Sequence, residues 1–158
     1  MNTYLLLKTL HVVSAALLFG TGLGTAFFMW VTHRSGDVAA IARVARLTVR
    51  ADWLFTAPAV IVQPLSGYAM VRLTGFDLQQ PWLIASLGLY LVAGACWIPV
   101  VVLQLRARDL AVAAAAAGTP LPLAYERAML AWFALGWPAF AAVLATYWLM
   151  VAKPALWS

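Results

Sequence analysis

The sequence predicts an all-α membrane protein folded as a four-helix transmembrane bundle. Three observations support this prediction: 65% of the 158 residues are hydrophobic, only 9% are charged, and the mean hydropathy is +0.92. A soluble domain has roughly 25% charged residues and about half apolar residues, so this chain has too few charges to cover a globule in water. At about 20 apolar residues per crossing, residues 1–158 form a single four-helix domain without room for a separate catalytic domain.

Four apolar runs define the predicted helices, at about residues 4–33, 38–71, 82–117 and 125–152. No basic residue precedes the first run, and the stretch after Lys8 is longer than the apolar region of a signal peptide, so we interpret it as a helix. The second run contains Pro58 and Pro64, which membrane helices tolerate because neighbouring helices can satisfy the freed carbonyls. The third begins immediately after Pro81, which suits a first helical turn. The fourth contains Pro138.

The distribution of basic residues predicts the orientation in a bacterial inner membrane. The connections between helices one and two and between helices three and four hold Arg34, Arg43, Arg46, Arg50, Arg106, Arg108 and Arg127. The opposite side offers Arg72 and Lys153. Because an excess of Lys and Arg marks cytoplasmic loops, we expect both termini on the outer, periplasmic side. The formal charge of +5 is then explained by anionic lipid rather than by nucleic acid.

Aromatic residues near the outer helix ends are expected interface anchors. They are Tyr4, Trp82, Trp148 and Trp157. On the inner side, helices two and three are expected to extend into the cytoplasm and to pack together. Helix two begins after Asp37, a suitable N-cap, and places three arginines on one face: Arg43, Arg46 and Arg50. Helix three runs to a stop at Gly118. We expect this arginine stripe to contact anionic lipid headgroups or to bind a partner.

His11 is the first candidate for chemistry. It lies seven residues after Tyr4, about 10 Å below the outer interface, where an ionisable side chain is costly and indicates function by default. Polar residues of the other helices near the same depth are Gln63, Tyr90 and Tyr147, with Ser14 and Ser66 within about a turn. A neutral imidazole in this polar layer suits an axial ligand of haem iron. Hydrogen bonding to Gln63 or to a tyrosine is the structural alternative.

Three further residues of helix one have two interpretations each. Lys8 can snorkel to the outer headgroups or interact with an anionic group such as a haem propionate. Gly20 and Gly24 form a small-xxx-small pair, which permits close approach of another helix or of a flat cofactor. Helix packing is the favoured interpretation of the glycines.

Two ionisable residues are expected near the inner side. His33 lies about 33 Å from His11 along a continuous helix, so the two cannot ligate one metal, and we expect a solvated interface residue. For Asp52 we expect an ion pair with Arg50 or Arg106. The sequence has no Walker loop, nucleotide fingerprint, serine triad or histidine cluster, and its single cysteine excludes iron-sulfur and multi-thiolate sites.

Four stretches carry a resemblance over nearly the whole chain: LKTLHVVSAALLFGTGLGTAFFMWVTH, ADWLFTAPAVIVQPLSG, CWIPVVVLQ and FALGWPAF. They resemble a bacterial family of predicted four-helix integral membrane proteins classed as a domain of unknown function (2269). The pattern Lys8-x-x-His11, Phe19-Gly20 and His33 is distantly similar to the first helix of HemJ-type protoporphyrinogen oxidase and, more loosely, of CopD-like membrane proteins. In the oxidase family the helix-one histidine is linked to haem binding, which by resemblance implicates His11.

We therefore expect an integral inner-membrane protein that binds one b-type haem through His11 and serves electron transfer with a redox partner. The alternative is a cofactor-free structural or accessory subunit of a membrane complex, with a buried hydrogen-bond network. A haem-biosynthesis enzyme of the oxidase type comes third. The predicted haem-site residues are His11 as the metal ligand, Lys8, Gly20, Gly24, Gln63, Tyr90 and Tyr147. The expected partners are the lipid bilayer, other membrane subunits or a second copy of the chain.

Overall fold

The computed structural model describes residues 2–156, which form five α-helices and one π-helical turn joined by short connections. The α-helices are α1 (Thr3–Ser35), α2 (Val38–Ala51), α3 (Ala57–Thr74), α4 (Pro81–Ala117) and α5 (Leu123–Ala152). The π turn, Asp52–Thr56, joins α2 to α3 without a break. All helix bounds lie within three residues of the predicted ones. The predicted anchor Trp157 lies outside the described residues.

The chain passes up and down the bundle as four segments, each long and apolar enough to cross a membrane. These segments are α1, the continuous segment Val38–Thr74, α4 and α5. The end of the bundle that holds residues 2, 156 and 75–80 is called the terminal end below. The opposite end, with residues 36–37 and 118–122, is called the arginine end. The prediction of four helices long and apolar enough to cross a membrane is confirmed.

Local sequence signals set the helix ends as predicted. The Asp37 carboxylate accepts hydrogen bonds from the backbone N–H groups of Ala39 and Ala40, at 3.0 and 3.1 Å, and so caps α2. Pro81 lies in the first turn of α4, where its missing N–H costs no helical hydrogen bond. Gly118 ends α4 with a φ of 63°, a left-handed conformation that favours glycine.

The buried core lies at the arginine end, where α2 packs against α4. Small side chains make this packing close, because Ala42 and Ala45 of α2 and Ala107 and Ala111 of α4 are all fully buried. Met29 of α1 and a group from α5 complete the core: Tyr125, Ala128, Met129 and Trp132. The α2 arginines stay exposed on the opposite face. The predicted packing of these two helix segments is confirmed, and their extension into the cytoplasm stays a prediction.

Toward the terminal end the bundle separates into two close pairs, α1 with α3 and α4 with α5. Aromatic side chains bridge the pairs. Phe19 stacks on Phe140 with ring centroids 5.0 Å apart, and it contacts the edge of Tyr147 at 5.7 Å. These aromatic rings therefore set the spacing between the two helix pairs and keep their backbones apart.

Helix α1 does not use its glycines for close packing within the described chain. A Cβ atom built on Gly20 or Gly24 would meet nothing within 4 Å. No helix of the described chain makes the close approach that this pair permits, and contact with a helix or a flat cofactor from outside the chain stays a prediction. The surrounding face is apolar and exposed, as a lipid-facing surface must be, and it includes Leu23, Phe27 and Phe28.

Candidate functional site

The polar layer predicted around His11 exists as a hydrogen-bond network between α1 and α3. The Nδ1 atom of His11 lies 2.9 Å from the hydroxyl of Ser66, and its Nε2 atom lies 3.0 Å from the side-chain nitrogen of Gln63. The hydroxyl of Ser14 donates to the side-chain oxygen of Gln63. Ser14 and Ser66 are buried. One side chain of α3, Gln63, thus contacts two residues that are one helical turn apart on α1.

Contacts to the backbone complete this network. The hydroxyl of Ser66 lies 2.7 Å from the carbonyl oxygen of Val62, and the hydroxyl of Ser14 lies 3.0 Å from the carbonyl oxygen of His11. Each serine has one proton to donate, and the tautomer of His11 sets the direction of the hydrogen bonds to its ring. Both ring nitrogens lie within hydrogen-bond distance of a side chain of α3.

Gly67 is the close-packing glycine of the bundle, and sequence reasoning missed it. A Cβ atom at this position would lie 3.2 Å from Cε1 and 3.6 Å from Nδ1 of His11. The imidazole therefore lies directly against the α3 backbone. The sequence signal that could have revealed this contact is the spacing of Gln63, Ser66 and Gly67. It places an amide, a hydroxyl and a position without a side chain on one stretch of helix.

Tyr90 and Tyr147 lie outside the network, although the sequence placed them in the same layer. The hydroxyl of Tyr90 on α4 donates to the carbonyl oxygen of Val60 on α3. Residue 64, whose N–H would normally bond that carbonyl, is Pro64 and has no N–H. The hydroxyl of Tyr147 on α5 donates to the carbonyl oxygen of Ala15 on α1. Each tyrosine thus joins one helix pair to the other, and Tyr90 confirms that a neighbouring helix satisfies a carbonyl freed by proline.

A second polar network occurs at the π turn, nearer the arginine end. Asp52 accepts hydrogen bonds from the hydroxyl of Thr56 and from the side-chain amide of Gln104, both at 2.8 Å. The indole N–H of Trp132 donates to the oxygen of Gln104 at 3.2 Å. The predicted ion pair of Asp52 with an arginine is therefore wrong, because both carboxylate oxygens are bonded to neutral groups. The network links the π turn to α4 and α5.

The π turn itself follows from Pro58. Proline lacks an N–H and its ring clashes with the carbonyl four residues earlier, and a local π turn widens the helix at this point. The N–H of Ala57 accordingly bonds to the carbonyl oxygen of Asp52, five residues back.

A third group of polar residues lies at the arginine end. His33 Nε2 is 3.6 Å from a carboxylate oxygen of Glu126, and its ring lies 5.7 Å from that of Tyr125. The Nδ1 atom of His33 and the hydroxyl of Tyr125 are buried without a hydrogen-bond partner among the described residues. His33 was predicted to be solvated, whereas 27% of its side chain is exposed and it faces Glu126.

The comparisons with known proteins identify a family. A family model described as a predicted integral membrane protein (DUF2269) matches residues 5–154. The chain belongs to this family. Neither the curated proteins nor the solved structures give a match. Family membership agrees with the four apolar helices and assigns no chemistry to this DUF2269 protein.

The residues around His11 do not fit an axial haem ligand in the conformation described. The nitrogen that would bind iron, Nε2, already lies 3.0 Å from the side-chain nitrogen of Gln63. Gly67 lies against the edge of the ring. The chain has two histidines, and His33 lies at the far end of α1. Within residues 2–156 no group of three or more His, Cys, Asp or Glu side chains is placed to hold a metal ion.

The remaining predicted haem-site residues do not converge on His11. Lys8 is exposed, and the space beside Gly20 and Gly24 is open. The structure thus brings together Gln63 and the two serines with His11, and it leaves the other predicted contacts apart.

Proposed function

We propose that this DUF2269 protein is a cofactor-free structural or accessory subunit of a membrane complex. The observation that supports the proposal is the closed network at His11. Both ring nitrogens are bonded to neutral side chains of α3, so the histidine holds α1 and α3 together. A ligand or a proton carrier needs a free nitrogen, which this arrangement does not offer.

The energetic role of such a network follows from its surroundings. Interhelical hydrogen bonds in membrane proteins contribute on average about 0.6 kcal/mol each. Removing one partner costs more, about 1–3 kcal/mol, because the other partner is left unsatisfied. His11→Ala removes two interhelical bonds, and the hydroxyl of Ser66 and the side-chain nitrogen of Gln63 each lose the partner they have on α1. We therefore expect a loss of about 2 kcal/mol of unfolding free energy.

The test combines the visible spectrum with stability in detergent. Protein purified from haem-replete cells is compared with the His11→Ala variant by reduced-minus-oxidised spectra, pyridine haemochrome quantification and unfolding. The proposal predicts colourless protein and a destabilised variant. Lys8→Ala is the matched control, since Lys8 is exposed one turn away and its loss is expected to leave stability unchanged. A near-stoichiometric b-type spectrum that disappears in His11→Ala would overturn the proposal.

The same experiment decides between the proposal and the other predicted functions. Haem binding with electron transfer, and haem-biosynthesis chemistry of the oxidase type, both stay predictions of the sequence. A haem spectrum without porphyrinogen turnover would favour electron transfer, whereas porphyrinogen turnover that depends on His11 would favour the enzyme.

The accessory role has its own test. Membranes solubilised in a mild detergent are separated on a native gel, and the chain is located by an epitope tag. A subunit is expected to migrate in a larger assembly with other membrane proteins. Migration as the free chain, or as a homo-oligomer alone, would contradict the accessory role.

We further propose a bacterial inner-membrane location with the arginine end in the cytoplasm, since that end holds seven of the ten basic residues. Single cysteines introduced at Ser35 and Ala155, with Cys96 replaced by alanine, test this orientation. An impermeant maleimide applied to cells with a permeabilised outer membrane is expected to label position 155 alone. Labelling of position 35 alone would reverse the assignment.

A further inference from the structure

A cavity at the arginine end combines opposite charges with an apolar wall. It has a volume of about 380 Å³ and lies beside the first turns of α5. Three ionisable residues line it, His33, Glu126 and Arg127. Its apolar lining includes Leu130 and Phe133. A ligand that fills this cavity therefore has a zwitterionic part and an apolar part.

The position of the cavity along α5 coincides with a membrane boundary. The helix has 30 residues, which at 1.5 Å per residue is about 45 Å, and the hydrocarbon core is about 30 Å thick. Lys153 follows the helix at the terminal end. The first turns of α5, with Glu126 and Arg127, therefore extend beyond the hydrocarbon core to the headgroup level. Leu130 and Phe133 lie one and two turns deeper.

The charged groups of the cavity are partly open to a ligand. The side chain of Glu126 is 48% exposed and contacts His33 through one carboxylate oxygen at 3.6 Å. A carboxylate has acceptor sites beyond that single contact. Arg127, the next residue, is exposed and supplies a guanidinium, which binds phosphate well. The positive end of the α5 helix dipole lies at this turn and adds positive potential.

We propose that this cavity binds a phospholipid with an ammonium and a phosphate in its headgroup, namely phosphatidylethanolamine. The ammonium donates to the carboxylate of Glu126, and the phosphate accepts from the guanidinium of Arg127. An acyl chain lies along Leu130 and Phe133. Phosphatidylcholine has no N–H to donate to Glu126, and phosphatidylglycerol has no cation, so the carboxylate selects the headgroup.

The test measures headgroup preference with the full-length protein. Delipidated protein in detergent is mixed with equal amounts of phosphatidylethanolamine, phosphatidylcholine and phosphatidylglycerol that have the same acyl chains. Bound lipid is counted by native mass spectrometry. We expect a preference for phosphatidylethanolamine over phosphatidylcholine of about two- to five-fold, the range for one half-exposed ion pair.

Two variants and two controls locate the preference. Glu126→Gln is expected to remove the selection between the ethanolamine and choline lipids, and Arg127→Gln is expected to weaken the retention of all three. Asp109→Asn and Arg72→Gln make the same charge changes at exposed positions that do not line the cavity, and they are expected to bind like the unmodified chain. Circular dichroism verifies that each variant is folded.

Each other result would overturn the inference. Equal retention of the three lipids, or an unchanged preference in a folded Glu126→Gln variant, would show that the carboxylate does not select the headgroup. A preference for phosphatidylglycerol would show that the arginine end attracts anionic lipid through its net charge. The outcome is independent of the proposed accessory role, which depends on His11 at the other end of the bundle.

Discussion

Replacing Tyr90 by phenylalanine removes a hydroxyl that bonds the carbonyl of Val60. Pro64 cannot supply the usual helical N–H to that carbonyl, so the variant leaves an acceptor without a partner inside an apolar bundle. A buried group left unsatisfied costs about 1–3 kcal/mol, and the largest measured interhelical bonds in a membrane protein are about 1.7 kcal/mol. We therefore expect Tyr90→Phe to lower the free energy of unfolding by about 1 to 1.7 kcal/mol.

A double-mutant cycle tests the role of the proline. Pro64→Ala supplies an N–H four residues after Val60, so the carbonyl gains a helical partner. In that background Tyr90→Phe is expected to cost less than about 0.5 kcal/mol, which gives a coupling energy of about 1 kcal/mol. The free energies are measured by SDS titration in mixed micelles with circular dichroism as the signal.

The control for this cycle is Tyr68→Phe. Tyr68 is 56% exposed on the apolar surface of α3, so its variant loses a hydroxyl without breaking an interhelical bond and is expected to unfold like the parent chain. The reasoning is refuted if Tyr90→Phe costs the same with and without Pro64, because the freed carbonyl would then have no part in the effect. A Tyr90→Phe variant as stable as Tyr68→Phe would refute it as well.

Two other substitutions test the remaining contacts. Gly67→Ala adds a Cβ 3.2 Å from the His11 ring, and we expect it to lower the free energy of unfolding by about 1 kcal/mol. The control is Gly88→Ala, whose Cβ would meet nothing within 4 Å and which is expected to leave stability unchanged or slightly raise it. Equal effects of the two substitutions would contradict the close packing at Gly67. Asp52→Asn replaces a carboxylate oxygen with a donor inside its network, with an expected cost of about 1–3 kcal/mol in the same titration. The control is Asp109→Asn, whose side chain is 67% exposed and which is expected to stay within about 0.5 kcal/mol of the parent chain. An equally small change in the free energy of unfolding for Asp52→Asn would argue against the network.

The sequence predicted the depth of each polar residue better than its contacts. Depth follows from counting residues along a helix at a fixed rise of 1.5 Å, and on that basis His11 and Gln63 were placed at one level. The structure bonds them. The same count placed Tyr90 at that level, yet its hydroxyl bonds a backbone carbonyl. Depth alone does not give the direction in which a side chain points.

The sequence could not predict which face of each membrane helix is buried, and the reason is physical. A helix in water reveals its buried face because the other face is polar, and the three α2 arginines that were predicted to share one face are all exposed. In a membrane both the lipid-facing and the packed sides are apolar, so the two faces look alike. The Gly20 and Gly24 pair was therefore assigned to packing although the space beside it is open, and the close approach at Gly67 was missed.

By itself, the sequence determined the apolar solvent, the number of membrane-length segments, the helix ends and the exposed face of α2, because hydropathy, capping residues and amphipathic periodicity act within one segment. Only the tertiary structure decided the partners of Asp52, which are Thr56 and Gln104 in place of an arginine. It likewise decided that both nitrogens of His11 are bonded across the bundle. These contacts depend on how each helix is rotated about its axis, and packing between segments distant in the chain sets that rotation.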